Sequence, residues 1–259
     1  MAIITLTSDW GTSEYYAAAV KGVILSQVPN ATIVDITHEI PHFDVAEAGF
    51  TLRNCYRNFP EGTIHIIAVE TTESTETPHV VVKAHGQYFI GANNGVFSHI
   101  LDNQYDEAVE IRTEQDTGFF TFSTRDRFAK VAVMIAKGKP LSEIGNVGKP
   151  LQNGGSFCAV VKDNIIEGIV IHIDPYDNLI TNITKELFEE VRKGRDFIIK
   201  VKGDLYTIDE VVDCYDDVEQ LEPVALFGTH GYLELALNHA PMASLWGIEV
   251  RSSIQVVFE

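Results

Sequence analysis

The stretch that decides the fold lies at the start of the chain, where residues 2–36 read AIITLTSDWGTSEYYAAAVKGVILSQVPNATIVDI. Residues 2–7 are apolar and β-branched, residues 14–27 carry apolar side chains at helical spacing, and residues 31–36 are again β-branched and apolar. A polar turn separates the first strand from the helix, and the dipeptide PN at 29–30 stops the helix. This order of strand, helix and strand predicts a parallel sheet covered by helices on both faces.

The same alternation continues over the next hundred residues. It predicts helices at 45–58, 95–101 and 128–137, and strands at 63–69, 80–83 and 88–92. The segment GKPLSEIGNVGKPLQNGG at 138–155 is rich in glycine, proline and polar residues, which is typical of a linker. The sequence therefore predicts an α/β fold class, with a mostly parallel sheet in a first domain at 1–150.

The residues after this linker follow a different pattern. Short β-rich runs dominate and one helix is expected, so we predict a second domain at 156–259 built on a compact, mostly antiparallel sheet or barrel. The predicted strands lie at 165–173, 197–201, 224–227, 232–237 and 254–258, and the predicted helix lies at 185–193.

Composition excludes several classes of partner. Nineteen basic against thirty-seven acidic residues among 259 give 19 − 37 = −18, a charge that repels nucleic acid and anionic membrane surfaces. No apolar run approaches the roughly 18 residues of a membrane span, and the N-terminus lacks a basic leader, so a cytoplasmic protein is expected. Three widely spaced cysteines without a CxxC pair suit a reducing compartment: Cys55, Cys158 and Cys214.

One zinc-like motif is present but does not predict a zinc site. Residues 38–42 read HEIPH and match HExxH, yet Pro41 breaks the helix that would bring His38 and His42 onto one face. We therefore expect a loop here and no metal. The sequence also lacks a Walker loop, a GxGxxG turn and a GxSxG elbow, which argues against nucleotide-phosphate and serine hydrolase sites of those types.

Asp9 is the first candidate for a binding residue. It follows the first predicted strand, and open parallel sheets bind ligands beyond the carboxyl ends of their strands. A carboxylate there can accept two hydrogen bonds from the vicinal hydroxyls of a ribose, while Gly11 lets the backbone approach the ligand closely. The other interpretation is that Asp9 caps the helix that follows, which is common for aspartate in such turns.

Most of the chain resembles one known family, the S-adenosylmethionine hydroxide adenosyltransferases, which are relatives of the fluorinase and chlorinase enzymes. Each matching segment is short, and the specificity comes from six in the same order. The segments are SDWGTSEYY at 8–16 with KGVI at 21–24, VDITHEIPHFDV at 34–45, ANNGV at 92–96, TFSTRDRFA at 121–129, IDPYDNLITNI at 173–183 and GYLELALN at 231–238.

The resemblance implies a Rossmann-like first domain that binds the adenosyl group, a smaller β-barrel-like second domain, and a homotrimer with sites between subunits. It also implies that Asp9 holds the ribose diol, that Phe43 packs near the sugar or base, and that Tyr176 with Asn178 sandwiches and reads the adenine. The positions matching the methionine end are Glu14, Tyr16, Asp174, Thr229 and His230. Further substrate contacts fall on Trp10, Asn94 and Asn238 within the matching segments.

The sequence departs from the family pattern on the side of the nucleophile. Hydrolytic members carry an aspartate that opens a DPGVG-type loop, an arginine seven residues later, and a histidine in TFHGRD. This chain has Glu70 at the aspartate position, Thr77 near the arginine position and Ser123 at the histidine position. Thr124 occupies the position where the fluorinase has a serine near its halide. We therefore predict that Glu70 orients water and that Ser123 and Thr124 line the nucleophile pocket.

Three functions follow from these residues. The main prediction is hydrolysis of S-adenosylmethionine by adenosyl transfer to water, giving adenosine and methionine with no metal or organic cofactor. A protein that binds the ligand without catalysis is the alternative, because the aspartate, arginine and histidine of the water-activating set are all replaced and only Glu70 keeps a carboxylate. Halide transfer ranks lower, since the negative charge of Glu70 disfavours an anion in a desolvated pocket.

Overall fold

The computed structural model describes residues 2–113, 121–148, 150–155 and 158–259. The chain divides into two compact units, here called unit 1 (Met1–Ser156) and unit 2 (Phe157–Glu259). Residue 149 of the predicted linker, and residues 156 and 157 at the predicted start of the second domain, lie outside the described residues.

The described part of unit 1 is built on a seven-stranded sheet. Its strands are β1 (Ile3–Ser8), β2 (Thr32–Thr37), β3 (Ile64–Ala68), β4 (His79–Ala84), β5 (Gln87–Ala92), β6 (Glu107–Ile111) and β7 (Gly145–Val147). The order is β2-β1-β3-β5-β4-β6-β7, in which the first four strands are parallel neighbours and the last three join antiparallel. The predicted α/β class is confirmed, and its parallel part carries an antiparallel extension.

Helices cover both faces of this sheet. They are α1 (Tyr16–Gln27), α2 (Val45–Arg53), α3 (Val96–Leu101), α4 (Ala129–Ala136) and α5 (Leu141–Ile144). Ile64 and Ile66 of β3 are buried in one cluster with α1 and α4, whereas Ile67 is buried in a second cluster with α2 and α3. Burial on both faces explains why β3 carries apolar side chains at four of its five positions.

Several predicted boundaries in unit 1 were wrong. Helix α1 begins two residues later than expected, and the helix predicted at 45–58 ends at Arg53, with a separate 3-10 turn at Tyr56–Asn58. The start of α2 is fixed because Asp44 accepts a hydrogen bond from the Glu47 backbone N–H at 2.9 Å. The predicted linker contains α5 and β7, and β7 extends the sheet by pairing with β6.

Unit 2 contains a nearly closed antiparallel sheet of eight strands in its described part. They are β8 (Val160–Lys162), β9 (Ile165–Ile173), β10 (Leu179–Thr184), β11 (Phe197–Val201), β12 (Tyr206–Ile208), β13 (Pro223–Phe227), β14 (Tyr232–Leu237) and β15 (Ser253–Phe258). The order is β12-β11-β15-β9-β10-β14-β13, with β8 beside β9, and the end strands β12 and β13 contact each other. The predicted mostly antiparallel, barrel-like sheet is therefore confirmed.

The core of unit 2 packs around the first helix of this unit. The helices are α6 (Lys185–Arg192) and α7 (Met242–Trp246). Phe188 of α6 is fully buried and makes edge-to-face contacts with Phe197 and Phe258, at ring-centroid distances of 5.1 and 5.6 Å. Strands β8, β10 and β12 and helix α7 were not predicted. Within the described residues, each helix is too short or too polar to cross a bilayer.

Candidate active site

Four of the predicted site residues follow the parallel strands of unit 1. Asp9 follows β1, Phe43 lies beyond β2, Glu70 beyond β3 and Asn94 beyond β5. Because parallel strands end at the same edge of a sheet, these residues share that edge. The chain passes from β1 to β2 on one side of β1 and then crosses to β3 on the other side of β1. The direction of strand order therefore reverses at β1, and Asp9 and Glu70 lie on either side of this topological switch point.

The Asp9 carboxylate is held by the loop that follows β2. Its Oδ2 accepts a hydrogen bond from the Phe43 backbone N–H at 3.0 Å, and its backbone carbonyl accepts one from His42 Nδ1 at 2.9 Å. Helix α1 is capped at Tyr15 without a side-chain hydrogen bond, so the interpretation of Asp9 as the helix cap was wrong. The contact with Phe43 uses one of the two carboxylate oxygens and orients the group beyond β1.

The turn after Asp9 is tightened by glycine and by the loop of the zinc-like motif. Gly11 has a φ of +69°, and its N–H donates to the His38 carbonyl at 2.7 Å. His38 Nδ1 lies 2.6 Å from the buried Ser8 hydroxyl. Residues 38–44 form no helix, as Pro41 predicted, and no group of three or more His, Cys, Asp or Glu side chains in the described ranges is arranged to hold a metal ion.

An aromatic cluster adjoins this turn. Trp10 stacks on His38 with ring centroids 6.1 Å apart, and meets Phe122 edge to face at 5.7 Å. Tyr16 contacts the same Phe122 edge to face at 5.2 Å. The cluster thus brings predicted residues Trp10 and Tyr16 together, whereas Glu14 lies exposed just before α1. Phe122 was not predicted as a site residue, although it lies beside Ser123 in the family-like segment TFSTRDRFA.

Glu70 stands in an unusual backbone conformation. Its φ of +44° falls in the left-handed region, which costs a side-chain-bearing residue about 1–2 kcal/mol. Its carbonyl accepts a hydrogen bond from Asn94 Nδ2 at 2.9 Å, and Asn94 Oδ1 accepts one from the Val96 backbone N–H at 3.2 Å. Asn94 therefore connects the end of β5 to the segment that follows β3, and in unit 1 its side chain fixes the position of Glu70.

Ser123 and Thr124 lie at a π-helical turn, Thr124–Phe128, which runs directly into α4. Both side chains are buried. The neighbouring Arg125 and Asp126 form a two-pronged ion pair with N–O distances of 2.5 and 2.8 Å. Single π turns inside helices occur often at functional sites because they change the direction of the side chains that follow.

Unit 2 contains a cavity of about 790 Å³. Four predicted residues line it: Asp174, Tyr176, Asn178 and Asn238. Asp174 Oδ1 accepts hydrogen bonds from the backbone N–H groups of Tyr176 and Asn178, at 2.9 and 2.8 Å, and this turn leaves the Tyr176 ring 78% exposed. Asn238 is buried, and its side chain donates to the Val218 carbonyl at 2.9 Å.

An acidic side chain in this cavity was missed by sequence reasoning. Glu234 accepts a short hydrogen bond from the Tyr215 hydroxyl, and its other oxygen lies 3.2 Å from His230 Nε2. Although burial raises the pKa of Glu234, the hydrogen bonds from His230 and Tyr215 hold it below its ordinary value. Burial and the adjacent carboxylate raise the pKa of Tyr215, which stays protonated as the donor.

The signal for Glu234 was present in the sequence. It is the one charged residue within the otherwise apolar strand YLELAL, and a charge at such a position requires partners. His230 is not among the residues that line the cavity, but it contacts the lining residue Glu234. Thr229 is exposed in the same turn and also lies outside the lining. Tyr215 reaches Glu234 from a separate loop, which no local pattern indicates.

Comparison with known proteins adds independent observations. The chain matches the SAM hydroxide adenosyltransferase N-terminal domain over residues 4–145 and the C-terminal domain over residues 168–255, where SAM is S-adenosylmethionine. The (R)-S-adenosyl-L-methionine hydrolase of Methanocaldococcus jannaschii is 28% identical, covering 99% of this chain and 96% of that protein. A fluorinase from Actinoplanes sp. is also 28% identical, covering 98% and 97%.

A solved structure agrees with these matches. The crystal structure of an uncharacterized conserved protein from Thermotoga maritima superposes with a TM-score of 0.88 at 26% identity, covering 99% of this chain and all of that one. The two matched domains account for most of the chain, and the resemblance predicted from six short segments is confirmed. The chain belongs to the SAM hydroxide adenosyltransferase family.

Proposed function

We propose that this protein hydrolyses S-adenosylmethionine by transferring the adenosyl group to water, giving adenosine and L-methionine. The observation that carries the proposal is the Asp9 carboxylate, oriented by the Phe43 N–H at the switch point of a parallel sheet in a chain of this family. A fixed carboxylate at that point suits a ribose diol, because each hydroxyl can donate to it.

The proposed substrate contacts divide by chemistry. Asp9 holds the ribose diol, and the exposed rings of Phe43 and Tyr176 offer flat apolar surfaces for the sugar and the adenine. Asn178 reads the adenine edge, and carboxylates attract the sulfonium and the ammonium of the methionine end. The proposed set at the methionine end is Glu14, Tyr16, Asp174, Thr229 and His230, with further contacts from Trp10, Asn94 and Asn238.

The reaction is a displacement at the ribose C5′ atom. A water oxygen forms the new bond to C5′ while the bond between C5′ and the sulfonium sulfur breaks, and its electron pair leaves with the sulfur of methionine. The released proton passes to Glu70 or to solvent. A neutral thioether is a good leaving group, so holding water about 3–3.5 Å from C5′ and in line with sulfur supplies much of the rate.

Sequence identity alone does not choose between water and halide, because the hydrolase and the fluorinase cited above are equally similar to this chain. The choice of water follows from Glu70, since a carboxylate beside the nucleophile repels an anion but can orient and deprotonate water. Ser123 and Thr124 supply buried hydroxyl groups for the lining of the nucleophile pocket.

Assembly and location complete the proposal. The first unit acts as a Rossmann-like adenosyl-binding domain, and three copies of the chain form a homotrimer with the sites between subunits. Phe43 and Tyr176 are 70% and 78% exposed, which suits residues that meet a ligand or a neighbouring subunit. Three cysteines that lie far apart in the sequence, without a CxxC pair, suit a cytoplasmic enzyme. Light scattering at three times the chain mass supports the trimer, and a monomeric mass contradicts it.

The reaction is tested by incubating the purified protein with S-adenosylmethionine, with and without chloride, and separating the products by chromatography. Adenosine and methionine in equal amounts are expected under both conditions. Formation of 5′-chloro-5′-deoxyadenosine in chloride would instead establish halide transfer. Calorimetric binding of S-adenosylmethionine without any product would support the binding-protein alternative and exclude hydrolysis.

A further inference from the structure

The loop between β3 and β4, residues 69–78, carries Glu70 at its start and is tied down near that residue. His79, the first residue of β4, donates from Nε2 to the Thr71 carbonyl at 2.9 Å. Arg127 Nη1 lies 2.5 Å from Glu73 Oε1 and 3.0 Å from His79 Nδ1. One arginine and one histidine therefore fix two points of this loop, one and three residues after Glu70.

The hydrogen-bond directions in this group are settled by its geometry. His79 Nε2 faces a carbonyl and must donate, so Nδ1 of the neutral ring accepts from the Arg127 guanidinium. Burial lowers the pKa of His79, which favours this neutral form. Arg127 therefore donates to His79, and His79 donates to the carbonyl of Thr71, the residue next to Glu70.

Both anchoring side chains are held by the core of unit 1. His79 is fully buried, and its ring meets Phe128 edge to face at a centroid distance of 4.7 Å. Arg127 projects from the π-helical turn and is 12% exposed, and its Nε is buried without a partner among the described residues. A buried guanidinium is costly unless its remaining donors are well used, so the two contacts with Glu73 and His79 are expected to be firm.

The Thr77 hydroxyl does not make this connection. Thr77 places its hydroxyl 2.8 Å from the Ser74 hydroxyl and 3.1 Å from the Thr72 carbonyl, so its contacts remain within the loop. The left-handed backbone of Glu70 needs outside support, because a strained residue relaxes unless its surroundings hold it. Asn94 supports Glu70 from one side, and the Arg127–His79 pair supports the residues after it.

We propose that Arg127 and His79 act as positioning residues for Glu70, by clamping the loop that begins at that glutamate through Glu73 and the Thr71 carbonyl. The pair itself does not touch the substrate in this proposal. The inference rests on the proposed function insofar as Glu70 orients the attacking water. Misplacing a catalytic group by about 1 Å can cost roughly 10²-fold in rate. Loss of the contacts that hold this loop should therefore lower the turnover rate.

The first test measures steady-state hydrolysis by Arg127→Met. Its kcat should fall roughly 10- to 100-fold while KM for S-adenosylmethionine changes by less than about threefold. Arg127→Lys should recover part of the rate, because lysine reaches one of the two partners. The matched control is Arg53→Met, which removes an ion pair of the same length with Asp102 and should stay within about twofold of the original rate.

A double variant separates positioning from general damage. In a Glu70→Gln background, Arg127→Met should add little further loss, because the group that it positions is already gone. An equal loss of kcat with or without Glu70, or no loss in a folded Arg127→Met protein, would overturn the proposal. A wild-type protein without turnover would instead overturn the proposed function.

Hydrogen exchange of the loop amides tests the proposed clamp without a measurement of turnover. Amides at 70–78 should exchange faster in Arg127→Met than in the wild type, while Arg53→Met should leave them unchanged. Unchanged protection of this loop in Arg127→Met would refute the clamp whether or not the protein hydrolyses S-adenosylmethionine. A conservative His79→Gln variant, whose amide can still donate to the Thr71 carbonyl, should show a smaller increase in exchange than His79→Ala.

Discussion

The loop edge of unit 1 and the cavity of unit 2 orient their acidic groups in different ways. In unit 1, the Asp9 carboxylate accepts from the Phe43 backbone N–H, and Glu70 is held through its backbone carbonyl, which accepts from the Asn94 side chain. In unit 2, Glu234 is placed by the side chains of Tyr215 and His230. A carboxylate fixed through the backbone keeps capacity to accept from a ligand, whereas one already satisfied by side chains mainly shapes its cavity.

The largest effect is expected at Asp9. Asp9→Ala removes two hydrogen bonds from hydroxyls to a charged acceptor, each worth about 1.5–3 kcal/mol, so kcat/KM should fall roughly 10²- to 10⁴-fold. Asp9→Asn keeps an acceptor for the Phe43 N–H and should lose less. Asp106→Ala, an exposed acid of the same unit, is the control. Full activity of Asp9→Ala would remove the basis of the proposed ribose contact.

The next largest effect is expected from lowering the pH, which should destabilise unit 1 at a higher pH than unit 2. His65 is buried, and desolvation lowers its pKa from 6.5 to about 4. Between these pH values the unfolded chain binds more protons, so unit 1 should lose about 3 kcal/mol of stability as pH falls from 6.5 to 4. His79 and His99, whose pKa values burial also lowers, act in the same direction.

Glu234 in unit 2 also loses its stabilising contribution as pH falls, but over a lower pH range than His65. Its folded pKa lies below the ordinary 4.5, so its contribution to stability is present above pH 4.5 and is lost only as pH falls further. The chain has two tryptophans, Trp10 in unit 1 and Trp246 in unit 2. Urea unfolding of Trp246→Phe and Trp10→Phe proteins therefore reports each unit separately. Equal losses in both units between pH 6.5 and 4.5 would contradict the contrast.

A smaller effect is expected from Tyr215→Phe. The change leaves one oxygen of Glu234 without its donor in a buried position, which should cost about 1–3 kcal/mol and raise the pKa of Glu234. Urea unfolding followed by Trp246 fluorescence measures the loss. Tyr105→Phe removes an exposed phenol in unit 1 and serves as the control. No change of stability in Tyr215→Phe would show that water replaces the phenol freely.

The smallest effect compares two glycines of unit 1. Gly11→Ala should cost about 1 kcal/mol because of its positive φ, with no clash, since the new Cβ would lie 4.0 Å from Glu39. Gly22→Ala in the exposed face of α1 should instead stabilise by about 0.5–1 kcal/mol. Fluorescence of Trp10 during urea unfolding measures both. Effects of the same sign would contradict the backbone argument.

The parallel part of the fold was predictable because its strands are buried on both faces. β1 and β3 are buried at almost every position, and Asp9 and Glu70, which follow these strands, therefore lie at the sheet edge by topology alone. β7 was not predictable, because three residues reading GNV join the sheet through backbone hydrogen bonds and carry no side-chain pattern.

The long-range contacts were beyond sequence reasoning for a related reason. Tyr215 reaches Glu234 across 19 positions, and Arg127 reaches Glu73 across 54. Neither pair lies on a common helix face or strand face, so no periodic pattern joins them. The family resemblance indicated the motifs but not these contacts, which depend on how loops of this particular chain pack.

The left-handed backbone at Glu70 has a consequence for laboratory evolution. Glycine adopts that conformation without a steric penalty, and asparagine tolerates it better than glutamate does. A library screened only for heat resistance should therefore enrich glycine or asparagine at this position, and each such variant lacks the carboxylate of Glu70. Screening the same library for product as well should reverse the enrichment, so the composition of the two pools at a single codon would record how much catalysis depends on that carboxylate.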